Sequence, residues 1–413
     1  MNKYFLFVII TCAYAIAIAQ TDNRIIIGTV DSVQSKILNE KRKIWVHVPE
    51  SDPVGLFSSV RYPVVYLLDG DDHFSSVVGM IERMNHSSAN PVSPDMIVVG
   101  IPNTNRTRDL TPTKSAIDPP FVEDSSMIKI SGGGEKFMSF IEKELIPYID
   151  SIYPTAPYRI FIGHSLGGLM VMNAVVNHPK LFTSYICIDP SMWWNKATFL
   201  KTVENTLSTE NFKGKTLYLG IANTLEDGMD ISTVRNDTTS ESRHIRSILE
   251  LDDFIKADHP KDLRYASKYY PDDDHNSAAM ITEYDALRFI FKGFQCEFST
   301  KYLFDTTFNL AAMIENHYAE NVSKIYGYKV FPPETLMNMF GYQLLIMKQL
   351  TKAGDFFEMN VKNYPDSYNA YDSYGDYYRA IDNKVKAIEN YKKALTLNSG
   401  LTITKEKLEK LEE

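Results

Sequence analysis

The sequence predicts an α/β protein with a mostly parallel sheet, followed by an all-α region. Apolar runs of strand length alternate with amphipathic segments of helix length up to about residue 297. One such run, Tyr62–Leu68, is apolar along nearly its whole length, which is typical of a strand buried on both faces. From Thr335 to the end of the 413-residue chain only helical periodicity remains.

Residues 1–19 are typical of a secretory signal peptide. A short basic start at Met1-Asn2-Lys3 precedes an apolar segment, and Ala17-Ile18-Ala19 has the small residues of a cleavage signal. The apolar segment is too short for a membrane span, which needs about 20 apolar residues. We therefore expect a secreted or periplasmic protein without a membrane span.

The composition argues against two classes of site. The formal net charge is −9 and there is no basic stripe with interleaved aromatic residues, so we expect no nucleic-acid partner. No spacing of His, Cys, Asp and Glu indicates a metal site. We expect neither a metal nor a cofactor.

The order of the strands and helices predicts the topology of the sheet. The predicted strands cover residues 24–33, 43–48, 62–68, 96–101, 159–162, 185–188, 216–222 and 263–269. The predicted helices cover residues 134–152, 169–176, 197–207, 241–256 and 277–293. The first two strands are expected to form an antiparallel pair, and the later ones a parallel sheet with helices on both faces. Active sites in such sheets lie at the carboxyl ends of the strands.

The pentapeptide Gly163-His164-Ser165-Leu166-Gly167 fits the G-x-S-x-G nucleophile elbow. An apolar strand precedes it and a helical segment follows it, which is the context that the elbow requires. Glycine tolerates the crowding on either side of such a turn, and the helix N-terminus favours developing negative charge. We therefore predict an α/β-hydrolase fold with Ser165 as the nucleophile.

The partners of Ser165 are restricted by the chain order Ser, acid, His of α/β-hydrolases. His275 follows the predicted strand 263–269 and precedes a helix, so we predict that it is the general base. The alternative is a solvated loop histidine. The acid is expected after the strand 216–222, where Glu226, Asp227 and Asp230 all remain possible.

The oxyanion hole is expected to use two backbone N–H groups. One is that of Leu166, which directly follows the serine, and the other is that of Asp71, in the loop after Tyr62–Leu68. The HGGG-type sequence of lipases is absent from this loop, which argues against an ordinary lipase.

Several motifs together resemble the putative esterase family over residues of about 40–295. They are Tyr66-Leu67-Leu68-Asp69-Gly70, Gly163-His164-Ser165-Leu166-Gly167-Gly168, Asp189-Pro190-Ser191-Met192-Trp193-Trp194 and Asp274-His275-Asn276-Ser277. The segment 99–112 is similar to the siderophore-esterase branch, in which a loop here carries arginine beside the active site. The resemblance implies an α/β-hydrolase fold with Ser165 as nucleophile and His275 as base, and it leaves the acid open.

Four further residues are candidates for substrate binding. Arg106 and Arg108 suit an anionic or catecholate group, although a surface loop in which they pair with Asp109 and its neighbours explains them equally well. Trp193 and Trp194 follow a predicted strand. Adjacent tryptophans point apart in most backbones, so we expect one in the core and one lining the cleft.

The C-terminal region repeats itself at an offset of 34 residues. The matched pairs are Gly341 and Gly375, Lys352 and Lys386, Ala353 and Ala387, and Phe357 and Tyr391. This period resembles the tetratricopeptide repeat, a helix–turn–helix unit that binds protein partners in many proteins. Two unrelated helix pairs are the alternative, and the pair could also dock on the preceding domain.

These observations predict four segments and one function. The segments are a signal peptide (1–19), an esterase domain (20–297), a helical linker (298–334) and a tetratricopeptide-like region (335–413). We expect a serine carboxylic-ester hydrolase acting on siderophore-like or polysaccharide-linked acyl esters. The alternatives are an acyltransferase and an inert hydrolase-fold protein that uses its helical repeats to recognise a protein partner.

Overall fold

The structure is a computed structural model of the chain. It describes residues 25–49, 57, 60–85, 91–123 and 125–413. The predicted signal peptide lies outside the described residues. Within them, no helix is both long enough and apolar enough to cross a membrane.

A single eight-stranded sheet organises the first two thirds of the chain, with the strand order β1-β2-β4-β3-β5-β6-β7-β8. Strand β2 is antiparallel to both of its neighbours, and β3 to β8 are parallel to one another. The strands are β1 (Thr29–Ser35), β2 (Glu40–His47), β3 (Tyr62–Leu68), β4 (Ile97–Ile101), β5 (Thr155–His164), β6 (Ser184–Ile188), β7 (Thr216–Ala222) and β8 (Arg264–Tyr270). The mostly parallel sheet predicted from the sequence is thus confirmed.

Burial explains why the central strands could be recognised. Every residue of β3, β4, β6 and β7 is buried, so these strands are apolar on both faces. In the centre of the sheet, Tyr66 of β3 lies between Val99 of β4 and Phe161 of β5. The carboxyl ends of β3, β5, β6, β7 and β8 therefore meet at one edge.

Helices cover both faces of this sheet. They are α1 (Gly70–Asn85), α2 (Arg106–Asp109), α3 (Ser125–Ile130), α4 (Gly134–Phe140), α5 (Ile146–Ile152), α6 (Leu166–Asn177), α7 (Thr198–Thr209), α8 (Arg243–Asp258) and α9 (Ala278–Ile290). A π-helical turn at Ile141–Leu145 joins α4 to α5. Helices α1 and α9 pack in one apolar cluster, and α4 to α8 pack in another.

Helix α1 was not predicted from the sequence. Its buried positions Phe74, Val77, Val78 and Ile81 have helical spacing. Polar residues interrupt them at every turn, so the segment lacks the long apolar run that marks the other elements. Its position matters because its first turn directly follows β3.

The remainder of the chain is helical. It comprises α10 (Lys301–Phe304), α11 (Leu310–His317), α12 (Ser323–Tyr326), α13 (Glu334–Ile346), α14 (Leu350–Asn363), α15 (Tyr368–Ala380), α16 (Lys384–Leu397) and α17 (Thr402–Glu412). The segment predicted as a linker forms α10 to α12, and its residues Leu310, Ile314 and Val322 are fully buried or nearly so.

These helices dock on the face of the sheet that α1 and α9 cover. Phe74 and Ile290 belong to the same apolar cluster as Phe340 and Phe356. The buried Lys352 reinforces the contact, because its Nζ donates to the carbonyls of Tyr302 at 2.6 Å and Phe308 at 2.8 Å. The helical region is therefore part of the packed body.

Two consecutive helix pairs pack in the same way at the predicted offset. A methyl group at Gly341 would lie 2.7 Å from the ring of Phe357, and one at Gly375 would lie 2.5 Å from the ring of Tyr391. Both glycines thus let an aromatic ring of the partner helix approach the backbone. This packing accounts for the 34-residue spacing, while the relationship to tetratricopeptide repeats stays a prediction.

This packing predicts opposite effects for glycine-to-alanine changes at different helices. Alanine has the higher helix propensity, so Gly79→Ala, where a methyl group meets no atom within 4 Å, should stabilise the fold by about 0.5–1 kcal/mol. Gly341→Ala and Gly375→Ala should instead destabilise it by about 1–3 kcal/mol, because the methyl group overpacks the aromatic contact. Urea unfolding of the three variants measures these changes in the free energy of unfolding. Stabilisation by Gly375→Ala would contradict the proposed packing.

Candidate active site

Ser165 occupies a strained turn between β5 and α6. Its backbone has φ 59° and ψ −115°, an unfavourable conformation for a residue with a side chain. The turn requires glycine nearby, because a methyl group at Gly163 would lie 2.4 Å from the backbone of Gly167. The geometry is that of the nucleophile elbow, with the serine at the carboxyl end of the strand.

Backbone hydrogen bonds hold this turn to the end of β6. The N–H of Ser165 donates to the carbonyl of Ile188 at 2.9 Å, and the N–H of Ser191 donates to the carbonyl of Ser165 at 3.0 Å. The Oγ of Ser165 lies 3.4 Å from the Oγ of Ser191.

His275 lies in the turn between β8 and α9, and two contacts fix it. Its Nδ1 is 2.5 Å from the Oδ2 of Asp189. Its backbone carbonyl accepts a hydrogen bond from the Nε2 of His164 at 2.7 Å, and the two imidazole rings are 4.5 Å apart. Because His164 directly precedes Ser165, this bond attaches the histidine turn to the elbow.

Asp189 directly follows β6 and is fully buried. Its backbone N–H donates to the carbonyl of Gly220, and its Oδ1 accepts from the N–H of Ala222, each at 2.9 Å. Burial opposes ionisation, but hydrogen bonds and charge interactions with His244 and His275 outweigh it, so the pKa of Asp189 is well below its usual range. A carboxylate hydrogen-bonded to the Nδ1 of a histidine orients the imidazole, as in a catalytic triad.

This contact differs from the prediction of Glu226 or Asp227 as the acid. Both side chains, and that of Asp230, are exposed in the loop after β7. Among the described residues, the carboxylate partner of His275 is Asp189. This residue follows β6, the strand between β5 and β7. The prediction assumed that the acid follows β7, whereas an aspartate that directly follows β6 is closer to the elbow.

His244 is a second residue that the sequence analysis missed. Its Nε2 lies 2.8 Å from the same Oδ2 of Asp189, and its ring packs edge-on against that of His275 at 5.1 Å. The sequence gave no indication of this, because His244 lies in the first turn of α8, far along the chain from both partners. The Asp-Pro-Ser-Met-Trp-Trp motif was the only available signal for Asp189.

The fold therefore brings together three potential metal ligands, although the sequence spacing predicted no metal site. One ligand atom each from Asp189, His244 and His275 lies within 4.8 Å of the others. The two N···O separations, 2.5 Å and 2.8 Å, are hydrogen-bond lengths. Two ligands on one tetrahedral zinc ion stand about 3.3 Å apart, so the observed arrangement is one of hydrogen bonds.

Arg106 links the end of β3 to the elbow. Its Nε and Nη2 donate to the two carboxylate oxygens of Asp69 at 2.7 Å and 3.0 Å, and Nη2 also reaches the carbonyl of His164 at 3.2 Å. Asn103 donates to Asp69 at 2.6 Å. Burial opposes the ionisation of Asp69, but these donors outweigh it and lower its pKa. Arg106 thus lies beside the site but is engaged by a carboxylate of the protein.

The contacts of Arg108 favour the alternative to its predicted substrate-binding role. Its guanidinium forms two hydrogen bonds with Glu40, at 3.0 Å and 2.7 Å, and one with Asp109 at 2.6 Å. Asp109 also accepts from the buried Arg42 at 2.5 Å. Arg108 therefore belongs to an ion network that fixes the loop, which was the alternative interpretation of the sequence.

Both tryptophans are buried. Trp194 is fully buried and donates from Nε1 to the carbonyl of Thr113 at 3.1 Å. Trp193 is 7% exposed and stacks on Phe121 with ring centroids 4.2 Å apart. The expected division into a core and a cleft tryptophan is not seen here, because the loop that carries Phe121 covers Trp193.

The two backbone groups predicted for the oxyanion hole begin neighbouring helices. Leu166 is the first residue of α6, and Asp71 lies in the first turn of α1. N–H groups in a first helical turn have no acceptor within the helix. Strands β3 and β5 are adjacent, so both helices start at the same edge of the sheet. The assignment of Leu166 and Asp71 stays a prediction.

His164 supplies a measurable pH dependence. Burial and the nearby His275 lower the pKa of His164 to about 4. The unfolded chain, with an imidazole pKa of about 6.5, binds this proton more tightly than the folded chain. The stabilisation is therefore complete above pH 6.5 and is lost as the pH falls towards 4. A shift of this size corresponds to about 3 kcal/mol.

We expect His164→Gln to weaken this acid sensitivity. The glutamine amide can still donate to the carbonyl of His275, but it does not titrate. The loss of unfolding free energy between pH 7 and pH 4.5 should be smaller in the variant than in the wild type by most of about 3 kcal/mol. Urea unfolding at the two pH values measures it. Equal losses in both proteins would show that other groups cause the acid sensitivity.

Comparison with known proteins identifies the family of this chain. Residues 35–260 match the family described as Putative esterase. Ferri-bacillibactin esterase BesA of Bacillus subtilis is 30% identical over 187 residues, which make up 43% of this chain and 63% of that protein. The chain thus spans less than two thirds of the length of this curated relative.

Two solved structures extend the comparison. An IroE-like serine hydrolase from Shewanella oneidensis has 31% identity and a TM-score of 0.66, over 81% of this chain and 98% of that protein. An uncharacterised protein from Capnocytophaga ochracea has 18% identity and a TM-score of 0.54, over 93% of this chain and 99% of that protein, which shows likeness of fold alone. The family match over more than half of the chain, together with the Shewanella structure, shows that this protein belongs to the putative esterase family.

Proposed function

We propose that the protein hydrolyses carboxylic esters with Ser165 as nucleophile, His275 as general base and Asp189 as the acid that orients the base. The observation that carries the proposal is the 2.5 Å contact between His275 Nδ1 and the buried carboxylate of Asp189, next to a serine in elbow geometry. This contact fixes the tautomer in which Nδ1 carries the proton and Nε2 is free to accept one.

In the proposed mechanism, Ser165 Oγ attacks the ester carbonyl carbon and its proton passes to Nε2 of His275. The N–H groups of Leu166 and Asp71 stabilise the oxyanion, supported by the N-termini of α6 and α1. Collapse of the tetrahedral intermediate breaks the ester bond, and His275 returns the proton to the leaving alcohol. Water then attacks the acyl-enzyme by the same route and releases the acid.

The proposed substrates are siderophore-type esters. The name of the BesA relative, a ferri-bacillibactin esterase, supports this class. Arg106 reaches the elbow through the carbonyl of His164, and its side chain is 35% exposed. Its pairing with Asp69 uses Nε and Nη2, so Nη1 is the donor that an anionic substrate group would meet. Polysaccharide-linked acyl esters are the competing class, and turnover of ferri-bacillibactin against an acetylated xylan separates the two.

Two parts of the proposal rest on the sequence. Export is inferred from the signal-like residues 1–19, and a tetratricopeptide-like character of residues 335–413 is inferred from the 34-residue offset. The equivalent glycine–aromatic contacts in the two helix pairs support the second inference. A protein partner for this region stays a prediction.

The mechanism predicts that Ser165→Ala and His275→Gln each lower kcat for p-nitrophenyl acetate by about 10³-fold or more, because neither nucleophile nor base has a substitute. His178→Gln is the matched control. His178 is also paired with a carboxylate, Glu135 at 3.0 Å, but at the opposite end of α6. Hydrolysis that survives Ser165→Ala would overturn the mechanism. Inactivity of the wild type towards every ester tested would favour an inert binding protein.

The identity of the acid gives a separate test. Asp189→Asn should reduce kcat by about 10²–10⁴-fold, because the amide cannot accept from both imidazoles and from the N–H of Ala222, and it carries no charge to stabilise the imidazolium. Glu226→Gln and Asp227→Asn make the same chemical change at exposed positions and should stay within about twofold of the wild type. Steady-state kinetics with circular dichroism on all three variants decides between them. A large loss at Glu226 or Asp227 with none at Asp189 would restore the original assignment.

A further inference from the structure

One carboxylate oxygen of Asp189 accepts hydrogen bonds from two histidines. His275 Nδ1 and His244 Nε2 lie 2.5 Å and 2.8 Å from Oδ2, while Oδ1 accepts from the N–H of Ala222. The carboxylate is fully buried, so these three donors replace its hydration. A triad needs only one of the two imidazoles, which leaves the second without a role in the mechanism above.

His244 is held firmly in this position. Its neighbour Arg243 donates to Asp118 at 2.7 Å, which ties the start of α8 to the loop that carries Phe121. Its own carbonyl accepts from Ser247 Oγ at 2.7 Å. The side chain is 12% exposed and stands edge-on to the ring of His275. The imidazole of His244 therefore donates to Asp189 from a fixed position and packs against the ring of His275.

We propose that His244 is a positioning residue: its hydrogen bond from Nε2 holds the Asp189 carboxylate towards His275. This proposal rests on the proposed esterase mechanism. The hydrogen bond from His244 prevents the carboxylate from rotating away from His275. It also satisfies a lone pair that would otherwise be buried without a donor.

The position of this carboxylate matters most in the transition state. That state places a positive charge on His275, which Asp189 stabilises. The carboxylate can do so only while it faces His275, so the hydrogen bond from His244 acts on kcat more than on KM.

Other ionisable groups face this pair and are the same in every variant. His164, at the end of β5, lies against His275, and Asp274 precedes it in the turn. On α8 itself, Arg243 is paired with Asp118, and Arg246 is hydrogen-bonded to the hydroxyl of Ser242. A comparison between variants of His244 alone therefore isolates the contribution of its own hydrogen bond.

The test measures kcat and KM for p-nitrophenyl acetate from pH 5 to pH 9 in the wild type, His244→Leu and His244→Gln. Removing the donor in the leucine variant should lower kcat about 10-fold or more, as for other residues that orient a ligand of the reacting group, with KM within about twofold. The glutamine amide can donate to Asp189 and should restore most of kcat. His178→Gln is the control for the histidine-to-glutamine change.

Rescue by glutamine separates positioning from simple structural support, because glutamine restores the donor and leucine does not. Equal losses of kcat in the leucine and glutamine variants would overturn the proposal.

A spectroscopic measurement that needs no turnover distinguishes failure of the proposal for His244 from failure of the esterase mechanism. The proton shared by His275 Nδ1 and Asp189 should give a far-downfield proton NMR resonance that shifts in His244→Leu and is retained in Ser165→Ala. An unchanged resonance in the leucine variant would reject the role of His244, even in an active esterase. An inactive wild type that shows the expected shift would reject only the esterase mechanism and support the contact.

Discussion

The backbone hydrogen bond from the N–H of Ser165 to the carbonyl of Ile188 is the contact on which the site depends. It fixes the strained elbow against the end of β6, and the next residue along β6 is Asp189. The return bond from Ser191 to the carbonyl of Ser165 closes the connection from the other side. A serine conformation that costs of order 1–3 kcal/mol is thus held by its surroundings, and the same contacts bring Ser165 and Asp189 together at the ends of adjacent strands.

The buried carboxylates of Asp69 and Asp189, near this elbow, each have several hydrogen-bond donors. Asp69 is paired with Arg106, which also reaches the carbonyl of His164, and Asp189 accepts hydrogen bonds from β7, α8 and the turn before α9. Removing one partner from such a group leaves an uncompensated charge, which costs more than the contact contributes. The hydrogen bonds and ion pairs of these buried groups therefore constrain the geometry of the site, just as apolar packing constrains the sheet.

The sequence was sufficient for features that depend on neighbours along the chain. The strands on either side of the elbow, the turn at Ser165 and the position of His275 could be predicted, because apolar runs and glycine spacing are local signals. The partners of Arg108 and Asp189 could not, because Glu40 and His244 come from distant segments and only the folded sheet brings them together. The two candidates for the acid differ for the same reason: chain order favours the loop after β7, whereas proximity to β5 favours the end of β6.

The buried pair of His73 and Glu283 connects the two halves of the site. His73 Nδ1 lies 3.1 Å from Glu283 Oε1, which joins α1, whose first turn contains the predicted oxyanion donor, to α9, which follows His275. Burial raises the pKa of Glu283, and this carboxyl group raises the pKa of His73 despite the opposing effect of burial. Helices α11, α13 and α14 pack in the same apolar cluster as α1 and α9. Because a packed core transmits displacement, these helices support the alignment of α9, which follows His275, with the first turn of α1.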